Sequence, residues 1–185
     1  MFHYPNIDFV KIQSKAINLP LIFKKTKGEK EHELKDLEKA IKEAIEKYKI
    51  KGLISGALAS NYQKSRIDKI CKKLKIKSIP PLWHINLEDY IKDLIKNKFE
   101  VIITGISADG LDKSFLRRKI NYKFLEDIKK LKIHIVGEGG EYETFVLDAP
   151  FFKKHLSIER SSKIMESEFC GILDIKKMKL ITKNI

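Results

Sequence analysis

The chain has 185 residues, 43 % of them hydrophobic and 34 % charged, enough apolar material for one medium domain or two small ones. No apolar run approaches the roughly 18 residues of a membrane-spanning helix, and the first residues lack a secretory signal pattern. Two distant cysteines, Cys71 and Cys170, make neither a disulfide framework nor a zinc knuckle, so the expectation is a cytoplasmic protein without a membrane partner.

The net charge is +13, which invites a nucleic-acid reading. Its cations, however, are 34 Lys and only 4 Arg, and groove or phosphate readers favour the bidentate guanidinium. With 28 Ile against 18 Leu, the bias reads mainly as the habit of an AT-rich, heat-adapted proteome, and nucleic acid is not the expected partner. The charge is uneven. Residues 1–83 carry 19 Lys and Arg against 9 Asp and Glu, whereas residues 84–185 carry 19 against 16. Nothing between Lys132 and Lys153 is cationic, yet Glu138, Glu141, Glu143 and Asp148 fall there.

In chain order, Pro5-Asn6 starts a helix through Ile7, Val10 and Ile17, and Leu19–Phe23 reads as a short apolar strand. Leu34, Leu37, Ile41, Ala44, Ile45 and Tyr48, spaced by three and four, define the clearest helix over 29–48. A strand over 52–58 leads to Ser60, which stands three residues before Gln63 as in a capping box, and the following helix buries Ile67, Ile70, Cys71 and Leu74. A third apolar stretch over 79–83, a helix over 87–95 and a fourth strand over 101–104 complete an alternation that predicts a parallel sheet covered by helices. Beyond it, 120–131 reads as a helix, 133–136 as a strand, and the last 35 residues as antiparallel strands around 156–158 and 172–180. The expected division is an α/β domain over 1–83 and a smaller α+β domain over 84–185.

Three constellations carry chemistry. At the strand end Ser55–Arg66, Gly56 permits close backbone approach, Ser60 opens a helix, and Tyr62 and Arg66 project from one helix side, which makes a nucleotide cradle or merely a capped helix with a basic face. Pro80-Pro81-Leu82-Trp83 is a rigid corner whose Trp83 stacks on a base or plugs the core. In Gly137-Glu138-Gly139-Gly140-Glu141-Tyr142-Glu143-Thr144, an extended chain would turn Glu141 and Glu143 to one face, where paired carboxylates bind a cation, ammonia or a cationic substrate, or do acid–base work. A solvated hairpin edge is the plainer reading. The five histidines lack ligand spacing with Cys or carboxylates, so no metal site is expected.

Taken together in this order, Gly56-Ala57, Ser60, Tyr62-Gln63 and Arg66, then Pro81-Leu82-Trp83, Gly110-Leu111-Asp112 and Gly137–Thr144, resemble the archaeal and eukaryotic diphthine–ammonia ligase family over essentially the whole chain. That family belongs to the ATP-pyrophosphatase superfamily, so the resemblance implies a HUP-like, Rossmann-like α/β fold. It implies an enzyme that adenylates the diphthine carboxylate of translation elongation factor 2 with ATP and Mg2+, and then admits ammonia to form the amide. By the same analogy, Gly56, Ala57, Ser60, Tyr62 and Arg66 border the nucleotide. Glu141, Glu143 and Thr144 are the catalytic candidates, and Trp83, Glu138, Gly139 and Gly140 are the substrate-binding candidates. A homo-oligomer is left open.

Two departures qualify the analogy. Asn61 stands where the family often has Asp, and the family's Ser-Gly-Gly-Lys-Asp-Ser pyrophosphate loop is absent from the sequence. The expectation is therefore a truncated frame or a fragment. An RNA-modifying adenylating enzyme and a non-catalytic nucleotide- or RNA-binding homologue stay open beside the ligase reading.

Overall fold

The computed structural model describes residues 6–26 and 32–183. It divides into two compact units, one holding the described residues between 21 and 85 and the other holding 6–20 together with 86–183.

In the first unit, α2 (His32–Tyr48) leads to β1 (Gly52–Ile54), α3 (Asn61–Lys73) and β2 (Lys77–Ile79). The sequence makes α2 for a simple reason: its apolar residues recur at helical spacing and its polar face is laced with ion pairs such as Lys42–Glu38 at 2.9 Å. α3 starts where Ser60 Oγ accepts from Gln63 N at 3.3 Å, and it buries Ile70 and Cys71. The strand–helix–strand passage places β1 and β2 side by side and parallel, with Leu53 opposite Ser78. Burial raises the Cys71 thiol above its usual range, consistent with a core residue.

The second unit is built on an antiparallel sheet in the order β4 (Tyr142–Asp148), β3 (Glu100–Ser107), β6 (Cys170–Thr182), β5 (Lys154–Ser167). β3 is its central strand, paired with β4 on one side and with β6 through Gly105–Ser107 on the other. Where β6 diverges, residues 117–120 take over, with Arg117 N donating to Ile103 O at 2.9 Å and Ile120 N to Val101 O at 2.8 Å. Around it pack α1 (Val10–Ile17), preceded by a 3-10 turn over Ile7–Phe9, together with α4 (Leu87–Lys96) and α5 (Tyr122–Ile128). Ile91, Ile102, Ile103, Leu116, Phe124, Leu156 and Leu173 are all but fully buried there.

Several expectations change. The strand over 101–104 exists, but it belongs to the antiparallel sheet rather than to a parallel one. The fold is thus mixed α/β, with a two-stranded parallel pair in one unit and an antiparallel sheet in the other. Leu19–Phe23 forms no strand; Pro20 has no N–H to give a ladder, and Leu19 is exposed. Residues 133–136 form turns rather than a strand, because Gly137 N closes back onto His134 O at 3.0 Å. The antiparallel strands expected near the C-terminus are present as the long β5–β6 hairpin.

Candidate functional site

In the first unit the candidates gather where β1 ends and α3 begins. Ser55 N donates to Ile79 O at 3.1 Å and continues the pairing of the two strands, while its Oγ is buried with no hydrogen-bond partner. A Cβ built on Gly56 would meet nothing within 4 Å, so the backbone there borders open space. Ala57 and Leu58 turn inward and anchor the connection. From the first turns of α3, the Arg66 guanidinium lies 3.4 Å over the Tyr62 ring and donates to Tyr62 O at 3.3 Å.

Trp83 joins this region through two ties. His84 N donates to Leu58 O at 2.8 Å, and Lys64 Nζ stands 5.5 Å over the indole. Lys64 also bonds Asp68 at 2.6 Å, and Lys64 followed by the Ser78 hydroxyl holds the Asp68 carboxyl below its usual range. The structure therefore brings Gly56, Ala57, Ser60, Tyr62, Arg66 and Trp83 to one strand end, with Trp83 half-buried and stacked on His84 at 4.5 Å.

The glycine-rich segment of the second unit is a hydrogen-bonded loop joined to β3 and β4. Ser107 N donates to Glu141 O at 2.8 Å, fixing the loop to the end of β3. Gly140 N donates to Gly137 O at 3.0 Å, Glu138 N to His134 Nδ1 at 3.3 Å, and the Tyr142 hydroxyl to Ile135 O at 2.7 Å. Gly137 adopts φ +73°, and a Cβ there would come 2.8 Å from Tyr142 O.

Glu141 precedes β4 instead of lying in it, and its carboxylate folds back over the loop, with Oε1 accepting from His134 N at 3.0 Å. Room for that fold exists because residue 139 is glycine: a Cβ would lie 2.6 Å from Oε1. Glu143 and Thr144 are in the strand, opposite Gly105 and Ile103, and both are half-buried. The extended face expected to carry Glu141 beside Glu143 thus begins one residue too late to include Glu141. Burial, followed by the nearby Glu141 and Tyr90, pushes the Tyr142 phenol far above its usual range and keeps it a neutral donor.

Sequence reasoning missed two residues that organise this loop, His134 and Tyr142. The sequence places His134 in a strand over 133–136 and finds no metal-ligand spacing for it, and its use of backbone N–H and ring nitrogen leaves no spacing signal. Gly110-Leu111-Asp112 is a turn: Leu111 is buried, and Asp112 Oδ1 accepts from Ser114 N at 2.7 Å. No group of three or more potential metal-binding side chains occurs among the described residues.

The fold and these two loops define a two-unit mixed α/β protein with a strand-end cradle in one unit and a glycine–carboxylate loop in the other. Residues 1–78 match the diphthamide synthase N-terminal domain and residues 86–181 the diphthamide synthase C-terminal domain. The chain belongs to the diphthamide synthase family. It is 34 % identical over 160 residues to the diphthine–ammonia ligase of Bos taurus, covering 84 % of this chain and 59 % of that protein. To the diphthine–ammonia ligase of Schizosaccharomyces pombe it is 31 % identical over 172 residues, covering 84 % and 28 %. To that of Danio rerio it is 29 % identical over 174 residues, covering 86 % and 68 %. The chain thus spans 59 % of the length of the mammalian relatives it matches.

Proposed function

We propose that the chain takes part in ATP-dependent amidation of diphthine on translation elongation factor 2, releasing AMP and pyrophosphate. Membership of the diphthamide synthase family through both of its domains is the observation that carries this reading. ATP would activate a carboxylate by adenylation, and ammonia would displace AMP.

The strand end of the first unit suits the nucleotide. Gly56 leaves space, the buried Ser55 hydroxyl lacks a partner, and the start of α3 offers backbone N–H groups beside the stacked Tyr62–Arg66 pair. Magnesium belongs to the same proposal, as the counter-ion of the ATP phosphates. In the second unit, Glu141, Glu143 and Thr144 with Glu138, Gly139 and Gly140 would serve the acceptor side of the reaction. The HUP-like sheet, with 1–83 as the nucleotide domain and 84–185 as the substrate domain, a cytoplasmic setting and an archaeal source belong to the same proposal. No helix among the described residues is long and apolar enough to cross a membrane.

The test is AMP release by the chain, and by the longest in-frame product containing it. Release is expected only when ammonium and diphthine-bearing elongation factor are both present. Release that needs tRNA instead would move the chemistry to an RNA base. RNA binding without any AMP release, weakening steeply with salt, would leave a binding module.

A further inference from the structure

The charges at the start of α3 run against its dipole. The positive end of a helix favours acidic side chains, yet the first two turns carry Lys64 and Arg66, with no acidic residue in the first. Asp68 is the sole carboxylate between Glu46 and Glu88, and it follows Lys64 by four residues, the weaker order for a helical ion pair. Helix stability gives little reason for this pair. Its surroundings give a better one. Asp68 Oδ2 accepts from Lys64 Nζ at 2.6 Å while Oδ1 accepts from the Ser78 hydroxyl of β2 at 2.6 Å, so two elements fix the carboxylate. The lysine held in this way stands 5.5 Å over the Trp83 indole, which stacks on His84. His84 in turn adopts φ +61°, a left-handed conformation that a β-carbon makes costly, with its N–H held by Leu58 O at 2.8 Å.

We propose that Asp68 and Lys64 are positioning residues of the strand-end cradle. The carboxylate, braced by Ser78, holds the ammonium over the Trp83 indole and so sets the ring as one wall of the nucleotide site. Trp83 needs such a brace because residues 80–85 lie in turns outside any strand or helix. That the wall faces a nucleotide rests on the amidation reading; the brace itself does not.

Trp83 is the only tryptophan, so the indole emission of the chain reports on this ring alone. Lys64→Met and Asp68→Asn remove the brace from its two sides, and both side chains are partly exposed, at 30 % and 37 %, so the variants should fold. In the ligand-free chain, acrylamide quenching of Trp83 should rise in both variants. Calorimetric titration with magnesium ATP should show binding weakened by about three- to tenfold in each. Lys64→Arg, which keeps a cation able to reach both Asp68 and the ring, should match the parent in both measurements. So should Lys73→Met, which breaks a comparable 2.8 Å pair with Glu38 at the far end of α3. Unchanged quenching in Lys64→Met and Asp68→Asn overturns the brace, and parent-like ATP affinity in both overturns its part in the cradle. Should neither variant fold, Ser78→Ala decides: it spares the ion pair and should move both readouts the same way by less, and unmoved readouts refute the proposal. A parent chain that binds no ATP would refute the nucleotide reading, and the quenching comparison would still decide the brace.

Discussion

Replacing Gly137 by alanine, beside the same change at Gly140, measures how tightly the glycine–carboxylate loop is seated on β4. Both residues have positive φ, +73° and +91°, so an alanine at either bears the left-handed penalty of about 1–2 kcal/mol. The stiffer unfolded chain offsets about 0.4–1 kcal/mol of that at each site. They differ in surroundings. A Cβ at 140 meets nothing within 4 Å, whereas one at 137 comes 2.8 Å from the Tyr142 carbonyl and 3.2 Å from its ring. A backbone oxygen cannot swing aside, so overpacking adds about 1–3 kcal/mol at 137 alone. Urea unfolding should therefore show Gly140→Ala costing about 1 kcal/mol and Gly137→Ala about 2–4 kcal/mol. Equal costs would refute the reasoning, because they would mean that nothing presses on residue 137.

Tyr142→Phe keeps the ring that stands edge-on to Phe124 at 5.7 Å but strips the Ile135 carbonyl of its donor, and unfolding should register a loss of about 1–2 kcal/mol. Asn6→Ala removes a carboxamide that donates to Leu173 O at 2.8 Å and accepts from Ile175 N at 3.0 Å, bridging β6 as a neighbouring strand would; about 1–3 kcal/mol should be lost in the same assay. Lys129, followed by Lys92, holds the Glu88 carboxyl at about 2 against an ordinary 4.5, so the folded chain binds fewer protons there than the unfolded one. The stability this contributes is present above an ordinary carboxyl pKa and is lost as the pH falls toward 2. Glu88→Gln should therefore lie closer to the parent chain in urea midpoint at pH 2.5 than at pH 6, and a gap independent of pH would contradict it.

What the sequence could show depended on whether the signal was local. α2 and α3 were legible because helical periodicity and the Ser60 cap are written in neighbouring residues. The β5–β6 hairpin was legible because apolar and polar residues alternate in short runs, an alternation that β6 turns into burial at Gly171, Leu173 and Ile175 while β5 buries only Leu156. The sequence points β3 to a parallel sheet for an equally physical reason. Residues Val101–Ile106 are buried without interruption, the pattern of a strand covered on both faces, and continuous burial does not encode the direction of its partners. Here it arises because β3 is central to an antiparallel sheet wrapped by helices. The candidate site divides the same way. Its glycines and carboxylates were visible as an unusual composition, while the backbone of His134, the hydroxyl of Tyr142 and the backward fold of Glu141 depend on the conformation of the loop.

The central claim is that this chain serves the amidation of diphthine. The most direct measurement is mass spectrometry of the modified elongation-factor peptide after incubation with the chain, or with the longest in-frame product containing it, in the presence of ATP and isotopically labelled ammonium. The account predicts conversion of the diphthine carboxylate to a labelled amide, with one AMP released for each amide formed. An unlabelled, unchanged diphthine peptide in a reaction that nevertheless consumes ATP would contradict it.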